Sequence, residues 1–330
     1  MARRHLVMAF VMDPIEAISI QADTTFVLML EAQSRGHQVF HVDPADLNVT
    51  EGRAAASVSP VTLRREQGDH VEKGPARNVV LDQDVDVVFQ RTDPPVNAEY
   101  IVATQILELC ERTLVLNRPQ SLLAYNEKLL ALHFREFMPE TIVTRRSADL
   151  LAFMTKLGGE MILKPLDGKG GEGVFHVHER DRNLFSIIEQ STRLGTRSVM
   201  AQRYLPEIRN GDKRILLLEG EPLGALLRVP SEAESRANLH VGGRAERTEL
   251  NAADRRIIDE VAPLLRREGL FFVGIDVIGD RLTEVNITSP TGVQEINALD
   301  KTRLEARVIE RVEERVALEG GRAGPSSVGD

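Results

Sequence analysis

The most restrictive feature of this sequence is a continuous apolar run from His5 to Val11, which stops at Asp13-Pro14. A run without polar alternation is typical of a strand buried on both faces of a parallel sheet. Such a strand needs a crossover helix to reach its parallel neighbour. Asp23 is placed to cap that helix, and Gly36 is placed to end it. The chain is therefore predicted to begin with an open α/β domain.

The predicted pattern of strands and helices changes twice along the chain. The strand–helix pattern recurs from Val85 to Leu116, whereas residues 49–77 show no clean period and predict loops with an edge hairpin. After a helical stretch from Ala124 to Phe137, short strands joined by turns replace the earlier pattern. We predict an N-terminal α/β substrate domain at 1–122, a central α+β lobe at 123–205, a C-terminal lobe at 206–317 and a disordered tail at 318–330.

Charge and cysteine content exclude several classes of function. The chain carries 41 Lys and Arg against 50 Asp and Glu, a net charge of -9, so the attraction of a basic surface for nucleic acid or anionic lipid is missing. No apolar run approaches the roughly 18 residues that cross a bilayer, and we expect a cytoplasmic protein. The single cysteine, Cys110, excludes an internal disulfide framework and a Cys-rich zinc site. Its place beside Leu109 on a helix predicts packing rather than nucleophilic catalysis.

A glycine-rich segment, Leu163 to Gly173, is the first candidate for chemistry. It contains G-x-G-x-x-G at Gly168, Gly170 and Gly173, but a strand-like segment follows it where a dinucleotide fold needs a helix. A P-loop is also disfavoured, because Gly170 stands where Ser or Thr should follow Lys169. The segment is either a flap whose backbone N–H groups close over phosphates, with Lys164 as a fixed charge, or an ordinary Gly-rich turn.

The second candidate is a predicted hairpin from Phe271 to Thr288. A three-residue loop, Gly279 to Arg281, would pair Asp276 with Glu284 and gather them with Asn286 on one face, away from the apolar face. Three oxygen ligands on one rigid face suit Mg²⁺. The alternative is a solvated acidic face.

His176 and His178 also share a strand face, but without a third ligand at a regular spacing we interpret them as structural.

These blocks together resemble the prokaryotic glutathione synthetases, members of the ATP-grasp superfamily of carboxylate–amine ligases. The resemblance covers nearly everything except the tail, and so many ordered blocks are more specific than either candidate alone. The matching blocks are Val11–Pro14, Arg91–Pro95, Asn117–Ser121, Asn126–Lys128, Leu163–Gly168, Met200–Gln202, Tyr204–Pro206, Gly211–Arg214, Gly279–Asn286 and Thr288–Gly292. The fold that it implies is an α/β N-terminal domain with a parallel sheet, followed by a two-lobed α+β ATP-grasp fold.

The resemblance also implies a role for each matched residue. Lys128 and Lys164 would contact the phosphates of ATP, and Arg214 and Arg228, with Lys164, would act in catalysis on the transferred phosphate and the acyl group. The implied flap is Gly168, Lys169, Gly170 and Gly171. The implied adenine pocket is Gln202, Arg203, Tyr204 and Leu205. The implied metal ligands are Asp276, Glu284 and Asn286, for Mg²⁺ or alternatively Mn²⁺. The implied substrate contacts are Asp13, Arg91, Arg236, Asn238, Gly242, Ser289, Pro290, Thr291 and Gly292.

The expected reaction is the ATP-dependent ligation of γ-glutamylcysteine and glycine to glutathione through an acyl phosphate. Two alternatives stay open: another ATP-grasp ligase, such as one adding glutamate to a protein tail, and a non-catalytic ATP-binding regulatory module. The expected partners are small molecules, without nucleic acid or membrane, and the resemblance implies a homo-oligomer with a tetramer as the expected size.

The polar stretch from Pro230 to Gly243 is predicted to be a mobile lid, because it has too few large aliphatic residues to stay ordered alone.

Overall fold

A computed structural model of the chain describes residues 5–231 and 242–320, and the side chains of residues 319 and 320 are not described. The described residues form two compact units. Unit 1 comprises residues up to 93, 98–120 and 291 onward, and unit 2 comprises residues 94–97 and 121–290. Of the predicted tail at 318–330, residues 318–320 lie in a helix, Leu304–Gly320. The rest of that tail, and Glu232 to Val241 of the predicted lid, lie outside the described residues. No described helix is long and apolar enough to cross a membrane.

Unit 1 begins with the predicted strand–helix–strand pattern. Asp23 caps the first helix, since its Oδ1 accepts a hydrogen bond from the Phe26 N–H at 2.6 Å. The first elements are β1 (Val7–Val11), α1 (Thr24–Ser34), β2 (Gln38–Val42), β3 (Leu47–Thr50), β4 (Arg53–Leu63), β5 (Val71–Lys73), β6 (Arg77–Val80), α2 (Leu81–Asp84), β7 (Val87–Gln90), α3 (Ala98–Glu108) and β8 (Leu114–Leu116), with 3₁₀ turns at Ile15–Ala17 and Pro44–Asp46.

The sheet of unit 1 has the order β3-β4-β2-β1-β7-β8, with β5 and β6 also paired to β4. The strands β2, β1, β7 and β8 are parallel, which confirms the predicted buried parallel core. The interpretation of residues 49–77 as loops with an edge hairpin is wrong, because β4 is an eleven-residue antiparallel strand that pairs with β2, β3, β5 and β6. One buried face of β4 is built from Ala54, Ala56 and Val58, Ala55 is buried on the other face, and alanine gives little strand signal.

Unit 2 contains two antiparallel sheets. Its elements are α4 (Pro119–Ala124), which starts in unit 1, α5 (Glu127–Leu130), a 3₁₀ turn (Ala131–Phe134), β9 (Thr141–Thr144), α6 (Ser147–Lys156), β10 (Glu160–Pro165), β11 (Phe175–His178), α7 (Leu184–Ser191), β12 (Val199–Gln202), a 3₁₀ turn (Pro206–Asn210), β13 (Asp212–Leu218), β14 (Glu221–Val229), β15 (Arg244–Arg247), α8 (Ala252–Arg267), β16 (Phe272–Ile278) and β17 (Arg281–Asn286).

One sheet has the order β11-β10-β12-β9 and the other the order β15-β14-β13-β16-β17. The helix α8 begins with a capping box formed by Asn251 and Asp254. The single helix predicted from Ala124 to Phe137 is wrong: Asn126 interrupts it and caps the new helix α5 through hydrogen bonds to the Lys128 and Leu129 N–H groups.

The chain returns to unit 1 in its last two helices, α9 (Val293–Asp300) and α10 (Leu304–Gly320). Helix α10 packs on α1, and its Glu313 carboxylate accepts hydrogen bonds from Arg35 at 3.0 Å and contacts His37 Nε2 at 2.9 Å. This division differs from the predicted boundaries, which assigned residues up to 317 to a C-terminal lobe. The difference matters for the site because Ser289 and Pro290 belong to unit 2, whereas Thr291 and Gly292 belong to unit 1.

Candidate active site

The glycine-rich loop joins two antiparallel strands, β10 and β11, as the sequence predicts. Gly170 and Gly171 have positive φ angles of 61° and 83°, in the region that glycine adopts without strain. Gly168 is required for another reason. A Cβ atom there would lie 2.8 Å from Pro165 Cγ and 2.9 Å from the Glu172 carbonyl oxygen. The loop therefore has a shape that only glycine permits, while the Lys169 side chain stays exposed.

Two buried lysines lie beside this loop. The Lys128 ammonium donates to the Gly168 carbonyl oxygen at 2.9 Å and contacts Glu284 Oε1 at 2.8 Å. The Lys164 ammonium, on β10, donates to the Thr283 carbonyl oxygen at 3.2 Å and so connects the two sheets of unit 2. Burial lowers the pKa of Lys164 to about 8, and the positive charge of Lys128 acts in the same direction. Burial would also lower the pKa of Lys128, but the Glu284 carboxylate raises it.

The hairpin of β16 and β17 pairs Asp276 with Glu284, as predicted, and Gly274 with Asn286. The three-residue loop is wrong. Ile278 pairs with Arg281 across a two-residue turn, and a bulge follows, since Val277 pairs with Leu282 while Asp276 pairs with Glu284. The extra residue is Thr283, whose hydroxyl donates to the Asp276 carbonyl oxygen at 3.1 Å. The bulge restores the register that a two-residue turn alone would have shifted by one position.

The oxygen groups of this hairpin form a donor set that suits a hard divalent cation. Asn286 Nδ2 donates to Asp276 Oδ2 at 3.3 Å, and Glu284 lies on the same face. Burial alone would raise the pKa of Asp276, but the guanidinium groups of Arg214 and Arg228 hold it below its usual value, so the carboxylate is ionised. Ionised carboxylates and an amide oxygen on a rigid hairpin fit the predicted metal.

Arg214 and Arg228 converge on that same carboxylate from β13 and β14. Arg214 pairs with Asp276 across the sheet and donates to it through Nε at 2.5 Å and Nη2 at 3.0 Å. Arg228 Nη2 lies 3.0 Å from Asp276 Oδ1 and 2.5 Å from Asp212 Oδ2. Burial would lower the pKa of Arg228, but Asp212 and Asp276 raise it. The two guanidinium groups are thus held in fixed, buried positions where anionic groups can bind.

Two carboxylates in this region, the buried Asp212 and the half-buried Glu127, were missed by the sequence analysis. Asp212 pairs with Arg228 across the strands, and burial raises the pKa of its carboxyl. Its Oδ1 is a buried atom for which the described residues offer no hydrogen-bond partner. Glu127 accepts three hydrogen bonds through Oε1, from the Ile287 and Thr288 N–H groups at 2.8 and 2.9 Å and from the Thr288 hydroxyl at 2.8 Å. The signals available for them were only their places in the Gly211–Arg214 and Asn126–Lys128 blocks.

The predicted adenine segment leaves the end of β12. Gln202 is buried and donates to the Thr141 hydroxyl at 2.9 Å, while the Arg203 Nε donates to Glu140 Oε2 at 2.7 Å. Tyr204 stacks on the His176 ring with a centroid separation of 3.8 Å. Leu205 precedes the 3₁₀ turn at Pro206. The segment is therefore anchored within the four-stranded sheet that also carries Lys164.

The predicted substrate residues Asp13 and Arg91 lie in unit 1, after the carboxyl ends of the neighbouring parallel strands β1 and β7. Asp13 Oδ2 accepts a hydrogen bond from the Asp93 N–H at 3.0 Å, and Arg91 Nε donates to the Thr25 hydroxyl at 3.0 Å. Burial lowers the pKa of Arg91, against the opposing charge of Asp23. Unit 1 thus brings these two side chains to one edge of its sheet, which is where parallel sheets bind ligands.

The other substrate candidates are distributed between the units. Thr291 and Gly292 precede α9, whose Gln294 side chain donates to the Ile20 and Asp23 carbonyl oxygens at 3.1 and 2.6 Å in unit 1. Ser289 and Pro290 end unit 2. Gly242 lies at the start of the described residues that lead to β15. Arg236 and Asn238, together with most of the predicted lid, lie outside the described residues.

Three residues that the sequence analysis interpreted as structural, Cys110, His176 and His178, have defined surroundings. Burial raises the pKa of the Cys110 thiol to about 12, which agrees with a packing role. His176 and His178 were interpreted as structural because no third ligand stands at a regular spacing, and in the structure the neighbouring strand β10 brings Glu160 to within 4.8 Å of both.

Comparison with known proteins defines the class. The structure of a RimK domain ATP-grasp protein from Sphaerobacter thermophilus matches with a TM-score of 0.61 at 17% identity, covering 92% of this chain and 98% of that one. This level of identity establishes the fold alone. This fold, together with the glycine-rich loop, the two buried lysines and the acidic hairpin of unit 2, defines the class of ATP-grasp proteins.

Sequence comparison is more specific. The model of the prokaryotic glutathione synthetase N-terminal domain matches residues 6–122, and the model of the prokaryotic glutathione synthetase ATP-grasp domain matches residues 127–301. The glutathione synthetase of Mesorhizobium japonicum is 46% identical over 292 residues, covering 88% of this chain and 93% of the relative. That of Salmonella typhimurium is 45% identical over 313 residues, covering 94% and 99%. This chain belongs to the prokaryotic glutathione synthetase family.

Proposed function

We propose that this protein joins γ-glutamylcysteine to glycine at the expense of ATP, forming glutathione, ADP and phosphate. The observation that carries this proposal is the convergence, within unit 2, of two buried lysines, two buried arginines and the Asp276–Glu284 pair around one glycine-rich loop. A non-catalytic nucleotide-binding module would need the lysines and the loop, but it would have no use for two arginines held beside the acidic pair.

The nucleotide would bind between the two sheets of unit 2. Lys128 and Lys164 would neutralise phosphate charge, and the backbone N–H groups of Gly168, Lys169, Gly170 and Gly171 would close over the phosphates. The adenine would bind at Gln202, Arg203, Tyr204 and Leu205, which leave the sheet beside Lys164. Lys128 already connects the loop to Glu284, so phosphate would replace a contact that the protein now makes with itself.

Asp276, Glu284 and Asn286 are proposed to hold Mg²⁺, with Mn²⁺ as the alternative ion. When bound, the ion neutralises phosphate charge and orients the transferred group. The chain contributes a rigid hairpin whose bulge at Thr283 sets the three side chains on one face. Asp212, which lies beside Arg228 with a buried carboxylate oxygen, is proposed to position that arginine and to balance the charge of the site.

The two arginines are proposed to act on the acyl group. Phosphorylation of the C-terminal carboxylate of γ-glutamylcysteine breaks the bond between the γ-phosphate and ADP and forms an acyl phosphate. The amine of glycine then attacks the acyl carbon, phosphate leaves, and the amine proton is released. Arg214 and Arg228 would stabilise the negative charge that develops on the phosphate and acyl oxygens, because a planar guanidinium is permanently charged and binds such oxygens in pairs. No side-chain nucleophile takes part.

The peptide substrate is proposed to contact Asp13, Arg91, Gly242, Ser289, Pro290, Thr291 and Gly292. The assignment of Asp13 and Arg91 is supported by their place at the carboxyl edge of the parallel sheet in unit 1. A homo-oligomeric, tetrameric assembly and a cytoplasmic location complete the proposal. The assembly comes from the family resemblance alone, and the location comes from the lack of an apolar run long enough to cross a bilayer.

One assay tests the proposal. Purified protein with ATP, Mg²⁺ and γ-glutamylcysteine is expected to release phosphate only after glycine is added, with glutathione formed in equal amount by mass spectrometry. Glutamate and a peptide ending in glutamate serve as control amine and acceptor. Release that needs glutamate would favour the protein-tail ligase, and ATP binding without any release would favour the regulatory module.

A further inference from the structure

A cluster of two histidines and a glutamate lies on β10 and β11, and the Tyr204 ring stacks on one of the histidines, His176. His176 Nε2 is 2.8 Å from Glu160 Oε2, and His178 Nδ1 is 3.6 Å from the same oxygen. Among the residues that the structure describes, this is the one place where three potential His, Cys, Asp or Glu ligand atoms lie within 4.8 Å of one another. The chain positions Glu160 directly opposite His178 in the strand register, so the cluster is built into the sheet.

From this geometry we propose that Glu160, His176 and His178 form a binding site for a borderline transition-metal ion such as Zn²⁺ or Ni²⁺. Tetrahedral ligands bonded at about 2.0 to 2.1 Å from a zinc ion lie about 3.3 Å from one another. The two separations to Glu160, 2.8 and 3.6 Å, bracket that value, and all three ligand atoms lie within 4.8 Å of one another. The fourth position would be left for water or a further ligand.

The donor set selects the class of ion. Two imidazoles and one carboxylate suit Zn²⁺ and Ni²⁺, whereas Mg²⁺ prefers oxygen ligands alone. This site is therefore distinct in chemistry from the hairpin of Asp276, Glu284 and Asn286. Both imidazoles and the Glu160 carboxylate face one point on the sheet, since their ligand atoms lie within 4.8 Å of one another.

Access and coupling follow from the position of the strands. β11 is the edge strand of its sheet, and the His178 side chain is 53% exposed, so an ion can reach the cluster from solvent. The His176 ring also stacks on Tyr204 at 3.8 Å. An ion bonded to His176 at about 2.1 Å would lie within about 6 Å of the Tyr204 ring. A bound ion would therefore change the surroundings of Tyr204, a residue of the proposed adenine segment.

This contact provides a direct readout, because the chain has three tyrosines and no tryptophan. Ni²⁺, a paramagnetic ion, is titrated into the full, untagged chain without nucleotide and with Mg²⁺ in excess, and binding is followed by calorimetry and by tyrosine fluorescence. We expect one high-affinity Ni²⁺ per chain and quenching that saturates with it. Glu160→Gln, His176→Gln and His178→Gln should each weaken binding at least about tenfold.

Two further variants make the test specific. His133→Gln removes an exposed histidine outside the cluster and should leave both the affinity and the quenching unchanged. Tyr204→Phe should retain calorimetric binding while losing most of the quenching. Equal Ni²⁺ affinity in the wild type and His178→Gln, or quenching that survives Tyr204→Phe, would overturn the proposal. Neither readout requires ligase activity, so a failure here is distinguishable from a failure of the proposed function.

Discussion

Replacing Lys164 with methionine should make the protein more stable and less active at the same time. The lysine is buried, and its ammonium has one described hydrogen bond, to the Thr283 carbonyl oxygen at 3.2 Å. Methionine has a similar length and no charge to desolvate. If Lys164 exists to bind phosphate, the folded protein without nucleotide carries an unfavourable charge that the variant removes.

The size of the effect can be worked from the pKa. Burial lowers the pKa of Lys164 from 10.5 to about 8, and 2.5 pKa units at about 1.36 kcal/mol each give a destabilisation of about 3 kcal/mol while the group is charged. Loss of the hydrogen bond to Thr283 costs about 1 kcal/mol in the variant. The expected net gain for Lys164→Met at pH 7 is about 2 kcal/mol.

The gain should depend on pH with a defined sign. Below pH 8 the lysine is charged in both the folded and the unfolded wild type, so the full destabilisation is present. Between the folded pKa of about 8 and the unfolded value of 10.5, the unfolded chain binds a proton that the folded protein has lost. Wild-type stability therefore rises with pH in this window, and the advantage of Lys164→Met shrinks.

Urea unfolding at pH 7 and pH 9.5, followed by far-UV circular dichroism without nucleotide, measures both effects. Lys156→Met, at a lysine whose side chain is 67% exposed, is the matched control and should change stability little at either pH. Steady-state kinetics should show a higher KM for ATP in Lys164→Met and little change in the KM for glycine. A variant that is less stable than the wild type at pH 7 would refute the reasoning, because Lys164 would then be a structural residue.

Three further outcomes are expected. Glu284→Gln should lower turnover at least about 10- to 100-fold, with partial rescue by excess Mg²⁺, because it removes a charge that also pairs with Lys128; unchanged turnover at ordinary Mg²⁺ would exclude the hairpin as the metal site. Gly168→Ala should raise the KM for ATP several-fold, because the new methyl group would lie 2.9 Å from the Glu172 carbonyl oxygen and distort the loop at a cost of roughly 1 to 3 kcal/mol. Equal ATP kinetics would contradict the flap. Cys110 should react with a disulfide reagent at pH 8 about 30- to 60-fold more slowly in the folded than in the unfolded protein, because its pKa rises from 9.0 to about 12 and the smaller thiolate fraction outweighs the higher nucleophilicity of that thiolate; equal rates would place the thiol in solvent.

Sequence patterns predicted the site best where one strong constraint decided the outcome. In the hairpin of β16 and β17, sorting apolar from polar faces was enough to pair Asp276 with Glu284. The loop length was wrong because a bulge at Thr283 and a longer turn produce the same register, and the sequence does not distinguish them. The faces were therefore predictable, while the local backbone was not.

Patterns failed where the signal came from partners far along the chain. Glu127 accepts hydrogen bonds from the N–H groups of Ile287 and Thr288, and Asp212 pairs with Arg228. Only the folded sheets show these partners. Glu160 joins His176 and His178 from the neighbouring strand β10. No regular sequence spacing between these residues indicates that they lie together. The strand β4 was missed for the opposite reason, since its alanines give almost no local signal.

The return of α9 and α10 to unit 1 imposes an order on biosynthesis. The residues 121–290 of unit 2 lie within the sequence of unit 1, which is completed only by the segment 291–320, about 30 residues later. At a synthesis rate of about 5 to 20 residues per second, unit 2 has its full sequence roughly 2 to 6 s before unit 1 does. Arg35 and His37 lack this partner until Glu313 has been synthesised. In a ribosome-bound chain, unit 2 should therefore become resistant to protease before the helix α1 does.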